Sequence, residues 1–159
     1  MRLALVVLAL SVPAADGELH VNASLTGYNF LAPTSRCCAF ELEVRPDGQA
    51  TATIVGEPKT RVVHFKVPPH ELATLRKALQ EQDFFSLPEI VGSLAFDGDF
   101  HMMVISVGKR KRAVRLDNWP DDWASADYMT KAELDQTRRA YAIWKILRSW
   151  VVDPRATVQ

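Results

Sequence analysis

The chain has 159 residues, of which 48% are hydrophobic and 24% charged. This composition is typical of a folded globular protein and argues against a disordered one. Nineteen Lys and Arg residues balance nineteen Asp and Glu residues, so the net charge gives no reason to expect a nucleic-acid partner.

The first 17 residues have the order of a secretory signal peptide. Arg2 supplies a positive start, residues 3–10 form an unbroken apolar run, and residues 13–17 are small and turn-prone. The run is shorter than the roughly 20 residues that a membrane-spanning helix needs. We therefore predict a signal peptide over residues 1–17, no transmembrane segment, and a periplasmic or secreted protein. Cleavage after Gly17 and cleavage after Ala14 both fit the pattern.

The next segments predict a lead-in followed by a β-rich half-domain. Residues 18–35 lack clear periodicity and are expected to be an extended lead-in. Residues 38–44 alternate between apolar and polar side chains, which predicts a half-buried strand. The turn sequence Pro46-Asp47-Gly48 and the β-branched residues after it predict a hairpin, and residues 63–67 predict a third strand.

The second half predicts a helix, a hairpin and a final helix. Pro68 and Pro69 open a helix with an apolar stripe at Leu72, Leu75 and Leu79. Residues 100–107 and 112–117 predict two strands joined by a turn. Thr130-Lys131-Ala132-Glu133 matches the capping box that begins a helix, which is expected to run to about Val152.

The predicted order is therefore β-β-β-α-β-β-α, in a single α+β domain over residues 36–153 with a tail at 154–159. Short hairpin links favour an antiparallel sheet. We predict a two-layer sandwich, with both helices packed on one face of the sheet and a polar opposite face. The residues expected on that polar face are Glu41, Glu43, Arg45, His64, Lys66 and Arg115.

Three segments carry a resemblance to a known group of proteins. They are the hairpin of residues 38–55, the segment Asp83-Phe84-Phe85-Ser86-Leu87-Pro88, and Asp97-Gly98 before a strand-turn-strand unit. Together they resemble small bacterial secreted proteins grouped as domains of unknown function, over residues 36–152. The resemblance implies secretion, and it implies no activity, cofactor or catalytic residue.

Cys37 and Cys38 are the only cysteines and are neighbours in sequence. Adjacent Cα atoms lie about 3.8 Å apart, which is shorter than the usual disulfide span, so an internal bridge would need distortion. Cys38 is expected to be a small core residue. An intermolecular disulfide through Cys37 is the alternative, so the chain is expected to be a monomer or a Cys-linked dimer.

Asp97, Asp99 and His101 bring two carboxylates and an imidazole together within five residues. Such groups suit acid–base chemistry, although an Asp-Gly pair is first of all typical of a turn. They make a small extracytoplasmic hydrolase an alternative hypothesis. On a strand, His101 and Met103 share a face and Met102 does not, so we predict neither a metal site nor a cofactor.

Two further segments are candidates for binding. Lys109-Arg110-Lys111-Arg112 places four consecutive cations at a hairpin tip, where they suit an anionic polymer, a phospholipid headgroup or an acidic protein. A solvated hairpin is the simpler interpretation. The second segment has two tryptophans with adjacent acids, which suit a sugar or a partner protein, or else cover the core. Its residues are Trp119, Asp121, Asp122 and Trp123.

No residues of the sequence stand at the spacing of a known catalytic motif. This favours an exported, non-catalytic accessory or binding protein, whose partner is an unknown protein or a cell-envelope ligand. The hydrolase described above is one alternative. An inhibitor or partner-docking protein that uses the Trp119 to Trp123 segment is the other.

Overall fold

Seven strands form one sheet in the computed structural model, which describes residues 17–26, 39–55, 60–92, 100–117 and 129–152. A 3-10 turn, Phe84–Ser86, follows the first helix. The elements are β1 (Leu19–Thr26), β2 (Ala39–Val44), β3 (Gln49–Val55), β4 (Arg61–Lys66), α1 (Pro69–Glu81), β5 (Ile90–Gly92), β6 (Phe100–Val107), β7 (Arg110–Asp117) and α2 (Lys131–Val152).

The strands lie in the order β4-β3-β2-β1-β6-β7-β5. Strand β1 is central and pairs antiparallel with both β2 and β6. All other neighbours are antiparallel as well, except that the short strand β5 pairs parallel with β7. The predicted α+β class is therefore confirmed, but the predicted element order is wrong by two strands.

Strand β1 lies within residues 18–35, where the sequence predicted only an extended lead-in. Leu19, Val21 and Ala23 are buried, while His20 and Asn22 are exposed, so the segment has the period of two expected of a strand. Gly27 and Pro33 come later in residues 18–35, so the segment as a whole shows no clear periodicity. Strand β5 has three residues, which is too short for any periodicity to reveal it.

Both helices cover one face of the sheet, as predicted. The indole of Trp144 on α2 stacks on the Phe40 ring of β2, with 5.4 Å between ring centroids. Along β6 the residues alternate strictly between half-buried and buried, and Met103 and Ile105 on the helix side are fully buried. The opposite face carries the predicted polar side chains of β2 and β4, so the two faces of the same strands have different roles.

Helix α1 ends against helix α2. Leu75 and Leu79 of α1 are buried, and the chain then turns at Asp83, whose φ of 44° is left-handed. The Arg139 guanidinium of α2 donates to the carbonyl oxygens of Gln82 at 2.7 Å and Asp83 at 2.9 Å. The bond to Gln82 gives a partner to a carbonyl at the C-terminal end of α1, and the bond to Asp83 adds to those that this carbonyl accepts from the Ser86 N–H and hydroxyl.

The predicted capping box begins α2. The Thr130 backbone N–H donates to Glu133 Oε2 at 2.8 Å, and the Glu133 N–H donates to Thr130 Oγ1 at 3.3 Å. Within the described ranges, no helix is both long and apolar enough to cross a bilayer. The predicted signal peptide (except Gly17), both cysteines and the predicted tail lie outside those ranges.

Candidate functional site

A groove of about 340 Å³ lies on the open face of the sheet, over its central strands. It is formed by β1, β2, β3 and β6, and its opening faces away from both helices. Its ten lining residues are Asn22, Ala23, Ser24, Glu41, Leu42, Glu43, Thr51, Thr53, Met102 and Val104.

The strand register sets these side chains in two rows across the sheet. In the first row, Ser24 lies between Glu41 on one side and Met102 on the other. In the second row, Asn22 lies between Glu43 and Val104. Neighbouring strands are about 4.8 Å apart, so each row brings its side chains within reach of one small ligand.

Strand β3 extends both rows with hydroxyl groups. Thr53 pairs with Glu41, and Thr51 pairs with Glu43. The Thr51 hydroxyl forms a 3.1 Å hydrogen bond with His64 Nδ1 of the edge strand β4, which fixes the orientation of that hydroxyl. One end of the groove therefore offers hydroxyls and carboxylates, and the other end offers the apolar side chains of Met102 and Val104.

The charge in the groove is lower than its two glutamates suggest. The Glu43 carboxylate lies 3.6 Å from Nε of Arg45, the residue that directly follows β2. Glu41 has no ion pair among the described residues. The groove thus presents one uncompensated carboxylate among hydroxyl and amide groups, which suits a neutral ligand rich in hydrogen-bond donors.

His101, the described member of the candidate catalytic set, lies on the opposite face from the groove. Its ring stacks on Trp144 at 4.5 Å between centroids, and the residue is only 9% exposed. The prediction that His101 and Met103 share a face, and that Met102 does not, is confirmed by their burial and register. Asp97 and Asp99 lie outside the described residues.

The predicted basic tip is divided between the two faces of its hairpin. Lys109, Arg110 and Lys111 are exposed, whereas Arg112 is half-buried opposite Ile105 on the helix side. The Arg110 guanidinium lies over the Phe85 ring at 4.2 Å from its centroid. Three of the four cations are therefore exposed, and the fourth is half-buried.

A buried carboxylate lies where β7 ends. Asp117 is 4% exposed, and its Oδ1 accepts a 2.6 Å hydrogen bond from Arg115 Nε. The Arg115 guanidinium in turn lies 4.9 Å from the centroid of the Phe100 ring. Gly92 of β5 adjoins the Asp117 backbone so closely that an added Cβ would clash with the Asp117 carbonyl oxygen. The cluster fixes the β5–β7–β6 corner of the sheet.

The remaining predicted residues are not placed by the structure. The binding candidates Trp119, Asp121, Asp122 and Trp123 lie outside the described residues, as does the possible disulfide residue Cys37. Across the part of the chain that is described, no three His, Cys, Asp or Glu side chains come together as a metal site.

The groove residues on β1 were not predicted from the sequence. Asn22 and Ser24 lie in the segment that was interpreted as a lead-in, so the polar side chains of that segment were assigned to no surface. The alternation of buried Leu19 and Val21 with exposed His20 and Asn22 was the signal that identifies this strand. Thr51 and Thr53 were assigned to a strand but not to a site.

Comparison with known proteins does not add to this description. Neither a protein-family profile nor any curated protein matches the chain.

Proposed function

We propose that this protein is an exported, non-catalytic binding domain that takes a neutral, hydroxyl-rich ligand, such as a cell-envelope glycan, in the groove of its open sheet face. The observation that carries the proposal is the groove itself. It lies on the sheet face opposite both helices, and it gathers side chains of four strands into two registered rows.

The donors and acceptors of the groove fit a sugar better than an ion. The hydroxyls of Ser24, Thr51 and Thr53 both donate and accept, and the Glu41 carboxylate accepts from ligand hydroxyls. Charge-assisted hydrogen bonds of this kind are about twice as strong as neutral ones. Arg45 beside Glu43 reduces the attraction for a cation, and Glu41 opposes an anion.

Two apolar residues complete the fit. Met102 and Val104 lie at the end of the groove opposite the threonines. The C–H faces of a sugar ring are apolar, whereas its edges carry the hydroxyls. A sugar that lies across the strands therefore meets Met102 or Val104 with one part and the hydroxyl side chains with another.

The position of His101 counts against the hydrolase alternative. An acid–base residue must reach the reacting group by hydrogen bonding, directly or through one water molecule. His101 is instead packed against Trp144 on the helix side of the sheet. The hydrolase hypothesis therefore lacks an accessible imidazole at this residue, and the docking hypothesis rests on residues outside the described ranges.

Titration with a neutral oligosaccharide tests the proposal. We expect the N-acetylglucosamine trimer to bind saturably, with a Kd of roughly 1 mM or tighter. The double variant Thr51→Val and Thr53→Val keeps the side-chain shape but removes two hydroxyls. It is expected to bind about thirtyfold more weakly, because the two lost hydrogen bonds contribute about 1 kcal/mol each.

The matched control is Thr74→Val, which removes an exposed hydroxyl from α1, away from the groove. Its affinity is expected to equal that of the native protein. Equal affinity of the native and double-variant proteins, or preferential binding of a cationic peptide over the sugar, would show that the ligand class is wrong.

Export is tested by intact mass of the protein recovered from the host's extracytoplasmic fraction. We expect a processed chain that begins after Ala14 or Gly17. A chain found only inside the cell at full length would contradict export. A dimer that reducing agent dissociates would identify Cys37 or Cys38 as an assembly residue.

A further inference from the structure

The sheet ends in two edges that differ in length and in pairing. Strand β5 at one edge has three residues and pairs parallel with β7, so it offers little backbone to a partner. Strand β4 at the other edge has six residues, and among the described residues no strand pairs with its outer side. Its residues Arg61, Val62, His64 and Lys66 are exposed. Strand β4 is therefore the edge at which this sheet can be extended.

The register shows which backbone groups of β4 point outwards. The Val67 N–H donates to the Gly48 carbonyl oxygen at 2.9 Å, and hydrogen-bonded pairs alternate along an antiparallel pair of strands. The odd-numbered residues of β4 therefore bond to β3. The N–H and C=O groups of Val62, His64 and Lys66 point away from the sheet, and we call these three the outward residues. They present the alternating donors and acceptors that an added strand requires.

The charges of β4 all have one sign. Arg61 begins the strand and Lys66 ends it, and the sequence between them contains no Asp or Glu. Neither side chain has an ion pair within the described part of the chain. Opposite charges on neighbouring strands stabilise a sheet, and like charges destabilise it. An acidic strand therefore fits this edge, whereas a second copy of β4 would bring the cations of both edges together.

The helix side of β4 carries apolar side chains that the core leaves partly uncovered. Val63 and Phe65 are half-buried, although their partners Ala52 and Ala50 on β3 are at most 4% exposed. A further strand would place its own side chains beside these two, because residues opposite each other on neighbouring strands share a face. A partner with apolar residues at alternate positions would therefore bury apolar surface as well as form backbone hydrogen bonds.

We propose that β4 binds an extended acidic segment of a partner protein, which adds to the sheet as an eighth strand. The added strand runs antiparallel to β4, since that pairing is the more stable per residue. Backbone hydrogen bonds give affinity in such strand addition, and alternate side chains give specificity. Apolar side chains of the segment contact Val63 and Phe65, and its acidic side chains lie opposite Arg61 and Lys66. This inference goes beyond the proposed function, because β4 contributes no residue to the lining of the groove.

A synthetic peptide added to the full chain tests the proposal. The acidic peptide Glu-Val-Glu-Val-Thr-Glu, blocked at both ends, is matched to the six residues of β4 in reverse order. Amide hydrogen exchange measured by NMR reports where it binds. We expect exchange to slow at Val62, His64 and Lys66, because their outward N–H groups gain acceptors. Exchange at Val63 and Phe65 is expected to change less, because their N–H groups already bond to β3.

Two further peptides separate strand addition from the effect of charge alone. The basic peptide Lys-Val-Lys-Val-Thr-Lys is expected to bind about tenfold more weakly at low salt, because attractive pairs with β4 become repulsive. The acidic peptide N-methylated at its second glutamate and its threonine keeps its charge but loses two N–H donors that would face β4. It is expected to leave the exchange of the outward residues unchanged.

A charge-reversed protein tests the choice of an acidic partner. The variant Arg61→Glu with Lys66→Glu is expected to prefer the basic peptide over the acidic one by about tenfold. The control variant Lys145→Glu with Arg148→Glu makes the same change of charge on α2 and is expected to keep the native preference. All four positions are exposed, so thermal melting is expected to show that both variants fold.

Four results would overturn the proposal. One is unchanged exchange of the outward residues at about 1 mM acidic peptide. Another is equal binding of the methylated and unmethylated acidic peptides. The third is the same loss of preference in the edge and control variants. The fourth is a dimer of the free protein whose outward residues are already protected, which would identify a second copy as the occupant. None of these results bears on sugar binding in the groove, so the two proposals fail separately.

Discussion

The two faces of the central strands differ in almost every property, although they share one backbone. On β2, Phe40, Leu42 and Val44 are at most 2% exposed on the helix side, while Glu41 and Glu43 between them are exposed. The helix side is tightly packed, and the open side holds a polar groove. Because side chains alternate along a strand, those on one face stabilise the domain by packing in its core. Those on the other face remain available for binding.

The stability of this arrangement depends on helix α2. Its side chains Trp144 and Leu147 are buried against the sheet, and Arg139 fixes the end of α1. If the two faces have separate roles, substitutions on the helix side change folding, and substitutions in the groove change binding alone.

The largest expected effect is that of Leu147→Asp. Leu147 is fully buried, so the substitution places an unpaired carboxylate in the core and is expected to cost about 4 kcal/mol or more. Circular dichroism is expected to show an unfolded or strongly destabilised chain. The neighbouring exposed substitution Arg148→Asp is the control and is expected to cost less than about 1 kcal/mol. A native melting temperature for Leu147→Asp would show that Leu147 does not lie on the buried face of α2.

Arg139→Met is expected to have the next largest effect. The guanidinium donates to two backbone carbonyls and, at 3.0 Å, to Ser86 Oγ, and the side chain is 24% exposed. Its loss is expected to cost about 2 kcal/mol in urea denaturation. Arg139→Lys keeps the charge but not the planar fork, so it is expected to recover only part of that stability. Full recovery by lysine would contradict the hydrogen-bonding role.

Thr130→Ala is expected to cost about 1 kcal/mol, because it removes the hydroxyl from the capping box of α2. The matched substitution Ser149→Ala removes an exposed hydroxyl from the last turns of the same helix, where it donates a hydrogen bond to the Ile146 carbonyl oxygen. It is expected to have little effect. Thermal unfolding of the two variants side by side measures the difference, and equal melting temperatures would mean that the box contributes nothing.

The capping box at Thr130 and Glu133 also makes the stability of the fold depend on pH. Hydrogen bonds from the Thr130 backbone N–H, and then from its hydroxyl, lower the pKa of Glu133 from its usual value of 4.5. A pKa that is lower in the folded than in the unfolded state stabilises the fold above the unfolded value, and this contribution is lost as pH falls through the folded pKa. NMR titration is expected to give a higher Glu133 pKa in Thr130→Ala than in the native protein.

The smallest expected effect on stability is that of Thr53→Val in the groove. Thr53 is only half-buried and faces away from the helices, so the free energy of unfolding is expected to change by less than about 0.5 kcal/mol. Urea denaturation measures the change. A loss of stability as large as that of Arg139→Met would show that the open face also holds the fold together.

Features of the fold that depend on local sequence were predictable, whereas features that depend on strand pairing were not. The period of two along β2 and β6 and the capping box at Thr130 are local patterns, and each appears in the structure. Strand β5 depends on pairing with β7, which is distant in sequence, so its three residues carry no signal of their own. The groove required the register of four strands, because it forms only when Asn22 and Ser24 are placed beside Glu41 and Glu43.

The most direct test of the separation between the two faces is an amide chemical-shift map of the protein with the N-acetylglucosamine trimer. We expect the largest shifts on Asn22, Ser24, Glu41, Thr51 and Thr53, and no change at the amides of α2. Shifts centred on α2, or no shifts at a ligand concentration well above 1 mM, would contradict the assignment of the open face as the binding surface.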